Sequence, residues 1–306
     1  MSRIHEALKK AAQERSSRLS AGTSTDFVDV ATDVSRTTFA TEDRASPLLG
    51  DLPQHRDSVV LSFEDLVKKC TRHHWQPDPR IDVFNSASIN QAGAESFRTL
   101  RSRLSQIAGT RQLKRVVVTS SLPLEGKTFV AMNLALSIAR QDHSKVLLID
   151  ADLRISRLHQ VLGAPATPGL TDYLRTESDD IGVIQKGAEG NLCFIPGGSP
   201  VSDPSELLLG PRMKHLLDLV TPLFDWVILD SPPALPVHDA SLLADLCDGV
   251  LFVVRAGETA FEVAEKASSE FRDKNLLGVV LNRVEKSESY KGYYYQSSAA
   301  VDEKKV

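Results

Sequence analysis

The sequence predicts a doubly wound α/β domain with a mostly parallel sheet, flanked by segments that lack core-forming patterns. Three observations predict it. Between residues 90 and 285, short aliphatic runs alternate with longer segments of helical periodicity. Runs such as VLLID and WVILD are apolar without interruption, the pattern of parallel strands covered by helices on both faces. One run leads through a glycine-containing loop straight into a helical segment, TSSLPLEGKTFVAMNLA at residues 119–135, the strand–loop–helix unit of open α/β sheets.

Taken in order, residues 1–15 read as a short amphipathic helix. Ser2 can cap it, and Ile4, Ala7, Leu8, Ala11 and Ala12 share one face. Three of those five are alanines, so the helix should bind a partner protein rather than a membrane. Residues 16–50 carry twelve Ser/Thr and little periodic apolar content, and residues 16–89 as a whole are expected to be a largely disordered linker. Within it a short helix is expected near Phe63–Lys69, broken by QPDPR. The domain itself is expected at 90–285. It opens with a helix over 92–107 whose stripe is Phe97, Leu100, Leu104 and Ile107. Strands are expected at Arg115–Ser120, Lys145–Asp150, Leu192–Pro196, Trp226–Asp230, Val250–Arg255 and Leu277–Leu281. Helices are expected near 127–140, 205–220, 238–246 and 259–273. Residues 286–306 are polar and tyrosine-rich and should be a flexible tail.

Composition narrows the class. A chain of 306 residues, 42% hydrophobic and 25% charged, has room for one large domain or two small ones. The net charge of −4 gives no general attraction for nucleic acid, and none is expected as a partner. Three widely spaced cysteines form neither a disulfide framework nor a zinc pattern, which fits a reducing cytoplasm. His73-His74 has no third ligand nearby and predicts no metal site. No apolar run approaches the roughly 18 residues of a membrane span, nor is there a signal-peptide core. The expected location is cytoplasmic, with any membrane association peripheral and through a partner.

The chemistry is expected at the carboxyl ends of the strands. In a P-loop, backbone N–H groups and a helix N-terminus cradle phosphates. Glu125, Gly126, Lys127, Thr128 and Phe129 would form the nucleotide-binding turn, with Lys127 reaching the β- and γ-phosphates and the Thr128 hydroxyl binding Mg²⁺. VLLIDADLR ends a buried strand in Asp150 and Asp152, which alone would read as solvated strand-end residues or helix caps but gain a role at the metal or attacking group beside a P-loop. FDWVILDSPP delivers Asp230 to the same edge, as a second metal carboxylate or a capping Asp. Asn282 closes the last strand, where its amide could pair with adenine or simply form a turn. Glu95, Arg98 and Arg101 are spaced by three on a helix, giving either a solvated face or a fork for another subunit's carboxylates. Four of the chain's five tyrosines, Tyr290, Tyr293, Tyr294 and Tyr295, lie within six residues in a Ser/Lys/Gly context that cannot bury them. An aromatic patch for a partner is the competing reading of that cluster.

Together these residues resemble the bacterial tyrosine kinases of capsule and exopolysaccharide systems. The resemblance runs over about residues 90–295 and rests on Gly126-Lys127-Thr128, Asp150/Asp152/Arg154, Asp230-Ser231-Pro232-Pro233, Glu95/Arg98/Arg101 and the tyrosine tail. The N-terminal SRIHEALKKA is similar to the start of the exosortase-associated members. The chain departs from the family at Leu124, where the P-loop normally carries glycine. The resemblance implies a P-loop NTPase of the ParA/MinD-like type using ATP and Mg²⁺. It further implies a homo-oligomer formed through Glu95, Arg98 and Arg101, with Tyr290, Tyr293, Tyr294 and Tyr295 as phosphoacceptors. A separate inner-membrane polysaccharide co-polymerase would activate it, and a tyrosine phosphatase would reverse the reaction. Asp150 would orient the acceptor hydroxyl, and Asp152 would support the metal or the loop. The rivals are a ParA/MinD-like partitioning ATPase and a non-catalytic nucleotide-binding adaptor. The partitioning ATPases usually carry an extra lysine early in the P-loop, and residues 120–124 here are Ser, Ser, Leu, Pro and Leu.

Overall fold

The computed structural model describes residues 62–85, 91–176, 181–187 and 190–285. The expected N-terminal helix, the Ser/Thr-rich segment and the tail tyrosines lie outside them. The described chain begins with α1 (Phe63–Lys69) and β1 (Thr71–His73), followed by α2 (Gln91–Ala108) and β2 (Arg115–Ser120). Next come α3 (Lys127–Ala139), β3 (Val146–Asp150), α4 (Leu158–Leu162) and α5 (Leu170–Arg175). The hairpin-like pair β4 (Gln185–Gly187) and β5 (Leu192–Ile195) precedes α6 (Pro204–Leu209) and α7 (Pro211–Val220). The chain continues through β6 (Trp226–Asp230), α8 (Asp239–Asp245), β7 (Gly249–Arg255), α9 (Phe261–Ser269) and β8 (Leu276–Asn282).

The strands form one eight-stranded sheet in the order β1-β4-β5-β3-β6-β2-β7-β8. Every neighbouring pair is parallel except β4–β5, so β1 and β4 run opposite to the other six. The alternation along each strand divides the core in two. Val117, Leu147, Ile149, Cys193, Val227 and Leu229 face one layer with α7 and α8. Val116, Val118, Leu148, Phe194 and Ile228 face the other, with α2 and α3. Strands β3, β5 and β6 are buried at every residue, which is why their sequences are apolar on both faces. At about 1.5–3 kcal/mol for each buried large aliphatic side chain, these strands are the main apolar anchor of the fold.

The six expected strands and the helices near them are all present, within a residue or two at most strand ends. One helix differs. The segment expected as a single helix over 205–220 is two, because Pro211 drives Gly210 out of helical conformation, to φ −61° and ψ 152°. The linker boundary is also corrected. Residues 62–85 belong to the domain, which therefore reaches back beyond Asn90. Ser62 caps α1, accepting from the Asp65 N–H at 3.1 Å. Leu66 is fully buried, and Phe63 meets Phe224 edge-on at 5.4 Å. β1 joins the sheet, and the buried Asn133 clasps the segment by accepting from the Val83 N–H and donating to the Ile81 carbonyl, both at 3.0 Å. Among the described residues no helix is long and apolar enough to cross a membrane.

Candidate active site

Parallel pairing brings the expected residues to one sheet edge. β3 and β6 are neighbours, and their last residues, Asp150 and Asp230, stand opposite one another in register. β6 also pairs with β2, which runs directly into the phosphate loop. Two carboxylates on adjacent strands, about 4.8 Å apart in the ladder, are thus delivered below the loop by strand register alone.

The loop is tied down from three sides. Gly126 ends it at φ 100° as the N-terminal cap of α3. A side chain there would run into Asn282, whose amide nitrogen donates to the Glu125 carbonyl at 2.8 Å. The Glu125 side chain is buried and works as an internal strut, accepting from the Leu122 N–H at 2.8 Å and from the Thr259 hydroxyl. Phe129 points the other way, into the core, where it meets Phe97 at 5.6 Å. The groups of the loop left to meet a ligand would be its backbone with Lys127 and Thr128, while the side chains of Glu125, Phe129 and Asn282 position it. Leu124 is held at φ 67° with its side chain 75% exposed. A residue with a Cβ pays roughly 1–2 kcal/mol for left-handed backbone. Replacing Leu124 with glycine is therefore expected to raise the melting temperature by a few degrees, less the extra unfolded-state entropy of glycine. A lower melting temperature on calorimetry would show that the leucine packs on something.

The charged groups form a connected set. Lys127 Nζ sits 2.9 Å from the Asp152 carboxylate. The Thr128 hydroxyl donates to Asp230 Oδ2 at 2.6 Å, and Asp230 Oδ1 is buried with no partner among the described residues. Asp150 Oδ2 accepts from the Ser156 hydroxyl at 2.7 Å and from the Leu158 N–H at 3.0 Å, so it also caps α4. Burial pushes the Asp230 carboxyl up to about 7, and the nearby Asp150 and Asp152 charges add to this while Lys127 opposes it. Burial likewise raises Asp150 to about 6 against the hydrogen bonds from Ser156 and Leu158. Burial works against the Lys127 ammonium too, but Asp230, Asp152 and Asp150 together outweigh it and hold its pKa above the ordinary value. Among the described residues the site is thus a cluster of three aspartates around Lys127. An orphaned carboxylate oxygen beside a hydroxyl is a donor set that suits a hard divalent cation such as Mg²⁺.

Some residues behave differently from their sequence expectation. Asn282 closes onto the loop, giving one of its two amide N–H donors to the Glu125 carbonyl. The arginine helix does not present a uniform fork. Arg98 pairs with Glu95 on the surface at 3.1 Å, whereas Arg101 turns inward to the Ser137 carbonyl at 2.6 Å. A further network was not singled out in the sequence. Arg154 grips the fully buried Asp239 through two hydrogen bonds of 2.7 and 3.1 Å, and Ser205 bonds to both. It fastens the loop after β3, which carries Asp152, to α6 and α8. Asp239 lies some 85 positions from Arg154 and resembles an ordinary helix-start acid, so no local signal marks it.

Comparison with known proteins decides the family. Residues 125–271 match the model of an AAA domain. The chain is 38% identical over 218 residues to the tyrosine-protein kinase YwqD of Bacillus subtilis (strain 168), covering 70% of this chain and 90% of that one. The chain belongs to the bacterial tyrosine-protein kinases. The kinase Etk of Escherichia coli (strain K12) is 35% identical over 231 residues, which are 75% of this chain but 31% of that longer protein. The solved kinase domain of Escherichia coli ETK superposes with a TM-score of 0.61 at 32% identity, covering 72% of this chain and 87% of that domain. The parallel sheet described above is accordingly that of a kinase domain.

Proposed function

We propose that this kinase transfers the γ-phosphoryl group of ATP to the tyrosine cluster of its own C-terminal tail, between subunits. The observation that carries the proposal is the position of β8. Its last residue, Asn282, is hydrogen-bonded to the phosphate loop, so the chain leaves the sheet for its tyrosines right beside the site. Tyr290 follows eight residues later, a reach of at most about 29 Å.

Lys127 supplies positive charge to the phosphates, which requires it to shift from Asp152 towards the incoming nucleotide. Thr128 and Asp230 would hold Mg²⁺, which when bound neutralises charge on the β- and γ-phosphates. Asp150 orients the tyrosine hydroxyl and accepts its proton late in transfer. Its raised pKa brings the carboxylate closer to neutrality and makes it a better acceptor than an ordinary aspartate. Asp152 positions Lys127. In a phosphoryl transfer with little covalent chemistry, such positioning and charge balance supply most of the catalysis.

The test is the fate of labelled γ-phosphate. Label retained on protein, and lost when Tyr290, Tyr293, Tyr294 and Tyr295 are changed to Phe, supports the proposal. Release to solution would instead mean an ATPase, and neither outcome an adaptor. The resemblance of the whole motif set to capsule and exopolysaccharide kinases supports a role in regulating polysaccharide polymerisation and export. In that role a separate inner-membrane co-polymerase is the activator, the kinase lies at the membrane through it, and a tyrosine phosphatase resets the tail.

Glu95 and Arg98 are the outward members of the arginine helix and the proposed contact with the next subunit. Arg98→Glu is expected to lower the mass measured by light scattering towards the monomer, with the activator's cytoplasmic segment present. An unchanged mass would leave Glu95 and Arg98 as a solvated ion pair worth well under about 1 kcal/mol.

A further inference from the structure

A cavity of about 450 Å³ opens between α2, the end of α3 and residues 83–85, well within the size of small-ligand sites. Arg98, Arg101 and Arg140 line it together with Val83, Phe84 and Ala94. The contacts of these arginines matter. Arg101 is oriented by the Ser137 carbonyl at 2.6 Å. Arg140 lies over the Phe84 ring, 5.1 Å from its centre, and reaches the Phe84 carbonyl at 3.5 Å. Carbonyls and a ring face fix a guanidinium without cancelling its charge. Glu95 is bound to Arg98 in an ion pair more than half exposed, and Asp82 directs a carboxylate oxygen to the Phe84 N–H at 2.8 Å. Among the described residues, the one carboxylate bonded to these arginines is that of the surface residue Glu95, and each guanidinium carries five N–H donors.

We propose that this cavity is a phosphotyrosine-binding site and that its ligand is the phosphorylated tail of this chain. A phosphate monoester carries about −1.5 to −2 charges and takes forked arginine hydrogen bonds. The exposed Glu95–Arg98 pair is cheap to open. Val83, Phe84 and Ala94 give the aryl ring an apolar wall that a phosphoserine would leave uncovered. The choice of the tail rests on the proposed self-phosphorylation, which makes phosphotyrosine at residues 290–295. An occupied cavity engages Arg98, so phosphate on the tail and subunit contact compete for the same side chain.

The test uses a chemically phosphorylated peptide, so it does not depend on the kinase reaction. A fluorescein-labelled peptide of residues 287–297 bearing phosphate on Tyr294 is titrated by anisotropy into the full chain whose four tail tyrosines are Phe. Expected are saturable binding, at least tenfold weaker binding of the unphosphorylated peptide, and at least tenfold loss in Arg140→Gln and in Arg101→Gln. Arg140 is exposed, so its variant should melt as the parent does. Phosphoserine in place of phosphotyrosine should bind several-fold more weakly, and Mg-ATP should not displace the peptide. Equal binding by Arg140→Gln, displacement by Mg-ATP at the concentration that fills the P-loop, or equal competition by inorganic phosphate and phenyl phosphate would each overturn the proposal. Absence of peptide binding refutes this site alone, while absence of tail labelling in the kinase assay refutes the self-phosphorylation reading alone.

Discussion

Asp230→Asn is expected to lower tail phosphorylation at least about a hundredfold while making the nucleotide-free protein more stable at neutral and alkaline pH. A hundredfold corresponds to roughly 2.7 kcal/mol of transition-state stabilisation, a modest demand on a metal-holding carboxylate. The gain in stability follows from burial. Asp230 rises from 3.8 to about 7 because its site is dry and two other carboxylates lie near it. A carboxyl with a raised pKa binds its proton more tightly in the native than in the unfolded chain. Its ionisation therefore destabilises the fold as pH rises from about 4 through about 7, and the cost levels off above that. Asparagine has the same shape and no charge to desolvate. The melting temperature of Asp230→Asn should thus exceed that of wild type at pH 8, and the difference should shrink towards pH 4. Calorimetry in EDTA at both pH values, beside the labelling assay, measures the two halves. Full labelling would remove Asp230 from the site. A variant less stable at pH 8 would mean that the charge is compensated in the native state.

Such a trade is why parts of this site were legible in the sequence and others were not. An acid at the end of WVILD is anomalous, because the strand's apolar run commits that position to burial, and a buried carboxylate needs a reason. Asp150 ends VLLID in the same way, whereas Lys127 is marked by the glycine-containing loop between a strand and a helix. The sheet's long strands were legible for the complementary reason that both their faces are covered. β1 and β4 are three-residue polar strands too short to show an apolar pattern, and β1 is placed by pairing with β4 more than a hundred residues away. Residues 62–85 read as linker because their few apolar side chains are spread among charges and prolines. Their order comes from Asn133 and from burial of single residues such as Leu66. The Thr259–Glu125 and Arg154–Asp239 contacts were invisible for the same reason, since each is made by tertiary closure of common polar residues. Arg101 shows the limit of helical spacing. A spacing of three puts it beside Arg98, but a backbone carbonyl on α3 turns its head inward.

Mixing two inactive halves is expected to restore labelling. One variant, Lys127→Met, keeps its tail but loses the charge at the phosphates. The other keeps the site but has Tyr290, Tyr293, Tyr294 and Tyr295 changed to Phe. Label should appear on the Lys127→Met chain, at a rate that rises with the concentration of its partner. The physical ground is the exit of β8. Because Asn282 is bonded to the phosphate loop, a tail from the same chain would have to reverse direction within a few residues to aim a tyrosine into the site. A neighbour's tail approaches from outside and needs no such bend. Lys127→Met leaves Asp152 and its neighbours without their cation, so its melting curve is recorded to show that it is folded when mixed. Each transfer adds about −1.5 to −2 charges, and Tyr293, Tyr294 and Tyr295 are consecutive, so repeated transfer packs like charges together. Labelling should therefore be accompanied by a fall in assembly mass, giving a cycle of association, transfer and release. If the Lys127→Met chain stays unlabelled while wild type labels itself at a rate independent of concentration, transfer occurs within one chain. The bend argued against here would then have to be made by residues 283–289.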